Sequence, residues 1–130
     1  TSAMIEEQPL LGVGWGNYWL ADPEYNFDIE DADVVIFHAH DMYIHIPAEV
    51  GIPGGILYFL FFFGQGVMSW RIWRRGKGTM KLFGLSGMLL VLSAAIDGIG
   101  DYALFSCPVS CCFWALSALC VSEERRGAAG

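Results

Sequence analysis

The feature that most constrains this chain is a long apolar run without a formal charge, IPGGILYFLFFFGQGVMSW, from Ile52 to Trp70. As an α-helix it would be about 28 Å long, close to the roughly 30 Å hydrocarbon core of a bilayer. Two further apolar runs follow, Leu82–Ile96 and Tyr102–Val121, the second interrupted by Pro108. Since 55% of the 130 residues are hydrophobic, too little polar chain remains to cover three such helices in water. The sequence therefore predicts an all-α integral membrane protein with three transmembrane helices, preceded by an exported loop with short helices.

The charges are divided unevenly along the chain. Residues 1–50 hold ten of the fourteen acidic residues and none of the seven Lys and Arg. Five of these seven lie in RIWRRGKGTMK, residues 71–81, and the other two in the C-terminal SEERRG. Because basic linkers stay in the cytoplasm, we predict an exported segment 1–51, a membrane region 52–121 with a cytoplasmic turn at 71–81, and a cytoplasmic tail 122–130. A basic footprint for nucleic acid is absent.

The start of the chain does not have the pattern of a cleavable signal, which is a basic segment followed by an apolar core. Residues 1–51 would nevertheless have to be exported ahead of the first span. We therefore expect further membrane helices before Thr1, so that the chain is the C-terminal part of a longer protein.

We predict that the exported segment contains a short helix, a glycine turn and an acidic loop. A helical pattern runs from Ala3 to Gln8 and ends at Pro9. GVGWGN, residues 12–17, has neither the dinucleotide-binding spacing nor the Lys and Ser or Thr of a phosphate loop. We expect a tight turn with positive φ there, with close backbone approach to a ligand as the alternative. ADPEYNFDIEDAD, residues 21–33, lacks helical periodicity and the EF-hand spacing, and predicts a solvated loop.

Three histidines lie in HAHDMYIHIP, directly ahead of the first apolar run. The β-branched VVIF before them favours extended backbone up to His38, and a helix should begin near His40 with Asp41 as its N-cap. Pro47 weakens this helix and Gly51 breaks it. We therefore expect the imidazoles on a short element just outside the bilayer.

Zinc binding is an alternative use of these side chains. His38, His40 and His45 could be joined by Asp33 or Asp41 as a further ligand. However, the H-x-H spacing suits a strand, and His45 would reach the other two only across a turn. The sequence therefore predicts no metal site.

These patterns resemble those of the bacterial O-antigen ligases and the related O-antigen polymerases and protein O-oligosaccharyltransferases. The family motif is His, then Asn, Ser or Gln, then nine residues and Gly-x-x-Gly. Here His40 and Asp41 are followed by that spacing and by GIPG, residues 51–54, with an acid in place of the neutral second residue. AEVGIPG also resembles the family's AELGIxG, and EEQPLLGVGWGNY resembles its HPLLGVGxGNF. A D…P…FW pattern, formed by Asp101, Pro108, Phe113 and Trp114, resembles the pattern in the family's closing helices.

The resemblance implies a multi-pass transferase of the bacterial inner membrane, with residues 1–51 in the periplasm and the C-terminus in the cytoplasm. Such enzymes move a glycan from undecaprenyl pyrophosphate to a hydroxyl of the lipid A core, of another glycan or of a protein. They use no nucleotide sugar, and the ligases work without a metal. The resemblance thus implies membrane lipids and a lipid-linked glycan as partners, and no cofactor.

The resemblance assigns the role of general base to His40, and the chemistry agrees. An acceptor hydroxyl must lose a proton as it attacks the anomeric carbon, and an imidazole with a pKa of about 6.5 can take it. His38, Asp41 and Glu49 are candidate substrate-binding residues, with Asp41 placed to orient the His40 ring. His45 is expected to be accessory. Glu49 could instead be a surface acid at a helix C-terminus, or bond a core group.

The basic residues limit this interpretation. Family members hold the donor pyrophosphate with arginines of other exported loops, and the predicted external side of this chain has neither Arg nor Lys. We therefore expect the isolated chain not to transfer glycans. Two alternatives are a small non-enzymatic membrane protein with an acidic binding loop, and a metal-binding loop on a membrane anchor.

Overall fold

The computed structural model describes residues 1–25 and 37–129, and this part of the chain is helical, without a strand. It divides into two compact units, here called the first unit (Thr1–Tyr58 with Gly98–Tyr102) and the second unit (Phe59–Asp97 with Ala103–Gly130). Residues 34–36, where extended backbone was predicted, lie outside the described residues. The helices are α1 Ser2–Glu7, α2 Tyr18–Tyr25, α3 Met42–Arg75, α4 Thr79–Asp97 and α5 Cys107–Ala129, with a 3₁₀ turn at Ala103–Phe105.

Helix α3 begins and breaks where its sequence predicts. Asp41 Oδ1 accepts hydrogen bonds from the backbone N–H groups of Tyr43 (2.7 Å) and Ile44 (3.3 Å), which confirms Asp41 as the N-cap. At Gly51 the backbone leaves helical geometry, with φ 76° and ψ 168°, and the helix kinks. The predicted break at Gly51 is therefore confirmed. The part of α3 beyond the kink corresponds to the long apolar run.

Two of the three predicted spans have the necessary length. Helices α3 and α4 are long and apolar enough to cross a membrane. In α5 the apolar part is only Cys107–Leu119. The third apolar run loses its first residues to an irregular stretch, because Asp101 and Tyr102 lie outside any helix and the 3₁₀ turn follows them. A third full-length span is thus not confirmed.

The second unit packs through small residues and aromatic rings. A Cβ atom added at Gly84 of α4 would overlap the backbone of Ser69 and Trp73 of α3, so these helices approach each other closely. Close approach at small residues is how membrane helices commonly pack. The Phe62 and Phe113 rings stack with centroids 5.4 Å apart and join α3 to α5.

The first unit contains the short helices. Helix α1 confirms the pattern predicted for residues 3–8. The prediction of a loop over residues 21–33 is wrong for Ala21–Tyr25, which form the end of α2, and residues 26–33 lie outside the described part. Helix α2 forms despite its weak pattern because Tyr18 and Asp22 are buried, so tertiary packing outweighs local preference. Met4, Tyr18, Ala39 and Ala48 form a buried hydrophobic cluster in this unit.

Candidate functional site

The two sequence motifs that carry the family resemblance dock against each other in the first unit. The backbone N–H of Val13 donates to the carbonyl oxygen of Ala48 at 2.9 Å, and that of Gly14 donates to the carbonyl oxygen of Glu49 at 2.8 Å. Gly12 has a φ of +65°, and a Cβ atom there would lie 2.5 Å from the Ala48 carbonyl oxygen. The predicted positive-φ turn is therefore confirmed, and the backbone that it approaches closely is that of α3.

Gly51 completes this contact from the other side. The N–H of Ile52 donates to the carbonyl oxygen of Pro9 at 2.8 Å. A Cβ atom at Gly51 would overlap the backbone of Leu10, and the φ of +76° is itself unfavourable for other residues. The first glycine of the Gly-x-x-Gly motif is thus required both for the kink and for the contact with the N-terminal motif.

A cluster of three side chains, of which His40 and Asp101 are exposed and His38 is half-buried, lies beside the N-terminus of α3. His40 Nδ1 lies 3.5 Å from Asp101 Oδ1, and these side chains are 73% and 58% exposed. The His38 and His40 rings meet edge to face with centroids 4.8 Å apart. The turn after α4 is held here because the N–H of Met42 donates to the carbonyl oxygen of Gly98 at 2.8 Å. The structure therefore brings Asp101 to the predicted base.

The electrostatics of this cluster suit a base. The pKa of Asp101 is lowered by a hydrogen bond from the Tyr102 N–H and by the imidazole of His40. With Nδ1 of His40 facing the carboxylate, Nε2 is available to accept a proton. This arrangement can orient an imidazole so that Nε2 faces an incoming acceptor hydroxyl.

Asp101 replaces Asp41 as the carboxylate next to the His40 ring. Oδ1 of Asp41 is used in the cap of α3, so its predicted role in orienting His40 falls to Asp101. The sequence interpretation included Asp101 only in a helix-closing pattern. The available signal was that Asp101 lies between the second and third apolar runs, at the opposite end of the second run from the basic linker at 71–81. Substrate contacts of His38 and Asp41 stay predictions.

A buried polar pair lies beneath the exposed cluster. His45 and Glu49 are only 1% and 3% exposed, and His45 Nε2 lies 3.7 Å from Glu49 Oε2. The Ala39 N–H donates to His45 Nδ1 at 3.3 Å, and the Tyr18 N–H donates to Glu49 Oε1 at 3.2 Å. The alternative of Glu49 as a surface acid is wrong, because this residue bonds a core group. A contact between Glu49 and a glycan stays a prediction. The burial of the Glu49 side chain argues against it.

His45 is neutral in this environment. Burial, followed by repulsion from His38, lowers the pKa of His45 to about 4. Its ring lies between those of Tyr18 and Tyr102, at centroid distances of 4.9 and 5.2 Å. The contact with Glu49 is therefore between a neutral imidazole and a carboxyl group, and not an ion pair.

One group of described residues could hold a metal ion, and it differs from the set weighed in the sequence. One ligand atom each of His38, His40 and Asp101 lies within 4.8 Å of the other two. His45 is engaged with Ala39 and Glu49, and Asp33 lies outside the described residues. Two imidazoles and one carboxylate with an open position are a donor set that suits Zn²⁺.

Comparison with known proteins gives one match. Residues 1–59 match the family model of the O-antigen ligases. This segment is O-antigen ligase-like. The match spans both docked motifs of the O-antigen ligase-like segment, and it includes His38, His40 and the kink at Gly51. No curated protein and no solved structure matches the chain.

Proposed function

We propose that this chain supplies the general base of a membrane transferase of the O-antigen ligase and polymerase type. The match of residues 1–59 supports the reaction class. The contact between His40 and Asp101 at an exposed edge of the first unit carries the assignment of the base. The donor is a glycan on undecaprenyl pyrophosphate, and the acceptor is a hydroxyl of a lipid A core sugar, of a second glycan or of a protein.

The reaction balances with one proton transfer to the protein. His40 Nε2 takes the proton of the acceptor hydroxyl as its oxygen bonds to the anomeric carbon of the donor. The bond from that carbon to the phosphate oxygen breaks, and undecaprenyl pyrophosphate leaves with the electron pair. Asp101, on Nδ1, orients the ring, and the imidazolium then passes the proton to water, which restores the base for the next turnover. His38 and Asp41 border the acceptor.

The position of the base beside a membrane helix suits a lipid-linked donor. In this proposal α3 enters the inner membrane beyond Gly51, so His40 lies at the periplasmic surface. The polyprenyl tail can then stay in the bilayer while the sugar reaches the imidazole. The pyrophosphate is held by arginines that this chain lacks on the external side, so the isolated chain is inactive.

The test is a transfer assay on the whole protein in its membrane. We expect His40→Ala to remove transfer, and Asp101→Asn to slow it by about a hundredfold or more, because a misoriented base is costly. Glu6→Gln, an exposed change in α1, is the control and should leave transfer unchanged. Normal transfer by His40→Ala at normal abundance would leave the non-enzymatic alternative as the better description.

The second candidate is a metal-binding loop on a membrane anchor, which the cluster of His38, His40 and Asp101 favours. Titration of the purified chain with Zn²⁺ separates the two. Stoichiometric binding at micromolar Zn²⁺ that His38→Ala and Asp101→Asn each abolish would support this function. If both variants bind Zn²⁺ as tightly as the unsubstituted chain does, the metal-binding function is excluded.

A further inference from the structure

The backbone between His38 and His40 is held by a hydrogen bond to a buried side chain. Ala39 lies between His38 and His40 and is only 7% exposed. Its N–H donates to His45 Nδ1, which reaches it from the first turns of α3. The ring of His45 therefore sets the position of the backbone that carries His38 and His40.

This hydrogen bond requires one tautomer of His45. Because Nδ1 accepts a hydrogen bond from the Ala39 N–H, the imidazole hydrogen of neutral His45 must lie on Nε2. Nε2 faces Glu49 Oε2, which lies one helical turn later on the same face of α3. A carboxyl oxygen in this position favours the Nε2–H form.

Glu49 is in turn fixed by other segments. Its Oε1 accepts the N–H of Tyr18 at the start of α2, and its carbonyl oxygen accepts the N–H of Gly14. The chain of contacts thus runs from the glycine turn through Glu49 and His45 to Ala39. Every link is a described hydrogen bond or a contact between buried groups.

We infer that His45 and Glu49 are positioning residues for the exposed cluster: Glu49 selects the tautomer of His45, and His45 holds the Ala39 backbone so that His40 meets Asp101. This inference rests on the proposed function and extends it to two buried residues. His45 is then neither a metal ligand nor a second base.

Two substitutions at position 45 test the inference. In His45→Asn the amide oxygen can take the place of Nδ1 and accept the Ala39 N–H. In His45→Gln the amide lies further out, near the place of Nε2, and the Ala39 N–H loses its acceptor. In membrane vesicles of the whole protein, we expect His45→Gln to lower kcat about a hundredfold with little change in KM for the acceptor. The kcat of His45→Asn should be at least tenfold higher than that of His45→Gln.

A structural measurement accompanies the rates. Hydrogen exchange of the peptide over residues 37–41 should be faster in His45→Gln than in His45→Asn, because only the first frees the Ala39 amide. Glu49→Gln should lower kcat as His45→Gln does, since an amide N–H facing Nε2 favours the wrong tautomer. Combining Glu49→Gln with His45→Gln should add little to either alone.

Three results have separate meanings. Equal kcat for His45→Gln, His45→Asn and the parent, with His40→Ala inactive, would overturn the inference and leave the proposed function intact. Equal loss in both variants, without faster exchange in His45→Gln, would also overturn it. Full activity of His40→Ala would instead overturn the proposed function.

Discussion

Replacing Gly12 by Ala tests whether the docking of the two motifs depends on close backbone approach. Gly12 has a φ of +65°, and the added Cβ atom would lie 2.5 Å from the carbonyl oxygen of Ala48. Gly16 is the matched control, because its φ of +75° is similar but a Cβ atom there meets nothing within 4 Å. Both substitutions introduce the same backbone strain, and only Gly12→Ala also forces the two segments apart.

The expected costs follow from these contacts. A left-handed conformation costs a non-glycine residue about 1–2 kcal/mol, and both variants carry that cost. Gly12→Ala also disrupts the hydrogen bonds from Val13 to Ala48 and from Gly14 to Glu49, at about 1 kcal/mol each. The free energy of opening the contact should therefore fall by about 3–4 kcal/mol in Gly12→Ala and by about 1–2 kcal/mol in Gly16→Ala.

Hydrogen exchange of the full chain in a lipid nanodisc measures this difference. A gap of about 2 kcal/mol corresponds to roughly thirtyfold faster exchange of the Val13 and Gly14 amides in Gly12→Ala than in Gly16→Ala. The contact is local, so exchange in α4 should not change. Indistinguishable exchange at Val13 and Gly14 in the two variants would refute the reasoning, because only their difference depends on the contact with α3.

Two further predictions concern a buried histidine and a helix contact. His45 has a pKa of about 6.5 in the unfolded chain and of about 4 in the folded unit. Its contribution to the free energy of unfolding is therefore fully present above about pH 6.5. As the pH falls to about 4, the free energy of unfolding of the first unit should decrease by about 3 kcal/mol. Hydrogen exchange measured over this pH range should show a smaller decrease in His45→Asn, which has no imidazole to protonate. Gly84→Ala should destabilise the second unit by about 1–3 kcal/mol through overlap with α3. Gly64→Ala, where a Cβ atom meets nothing within 4 Å, should stabilise it or be neutral, and a lower Tm for Gly64→Ala than for Gly84→Ala would contradict this packing.

Features that depend on neighbours in the chain were predictable from the sequence. Asp41 is an N-cap because its side chain reaches the next N–H groups, and Gly51 breaks the helix because it is free to adopt positive φ. The glycine turn at residues 12–17 follows the same logic. The family motifs also pointed to His40, which the structure leaves exposed and paired.

Features that depend on distant contacts were not predictable. Asp101 reaches His40 only because the turn after α4 bonds to the N-terminus of α3, and neither segment encodes that contact locally. The burial of His45 likewise depends on the rings of Tyr18 and Tyr102, which come from distant segments and pack against it. Helix α2 was missed for the same reason, since a buried face stabilises a segment whose own pattern is weak.

The separation of His40 and Asp101 along the chain has a consequence for biosynthesis. His40 is translated before α3, and Asp101 only after α4. If α3 and α4 are consecutive membrane spans, as the sequence predicts, Asp101 can reach His40 only after both helices have been synthesised and inserted. In that case the contact between His40 and Asp101 would form only after correct insertion, and a product that stalls after α3 would carry His40 without Asp101.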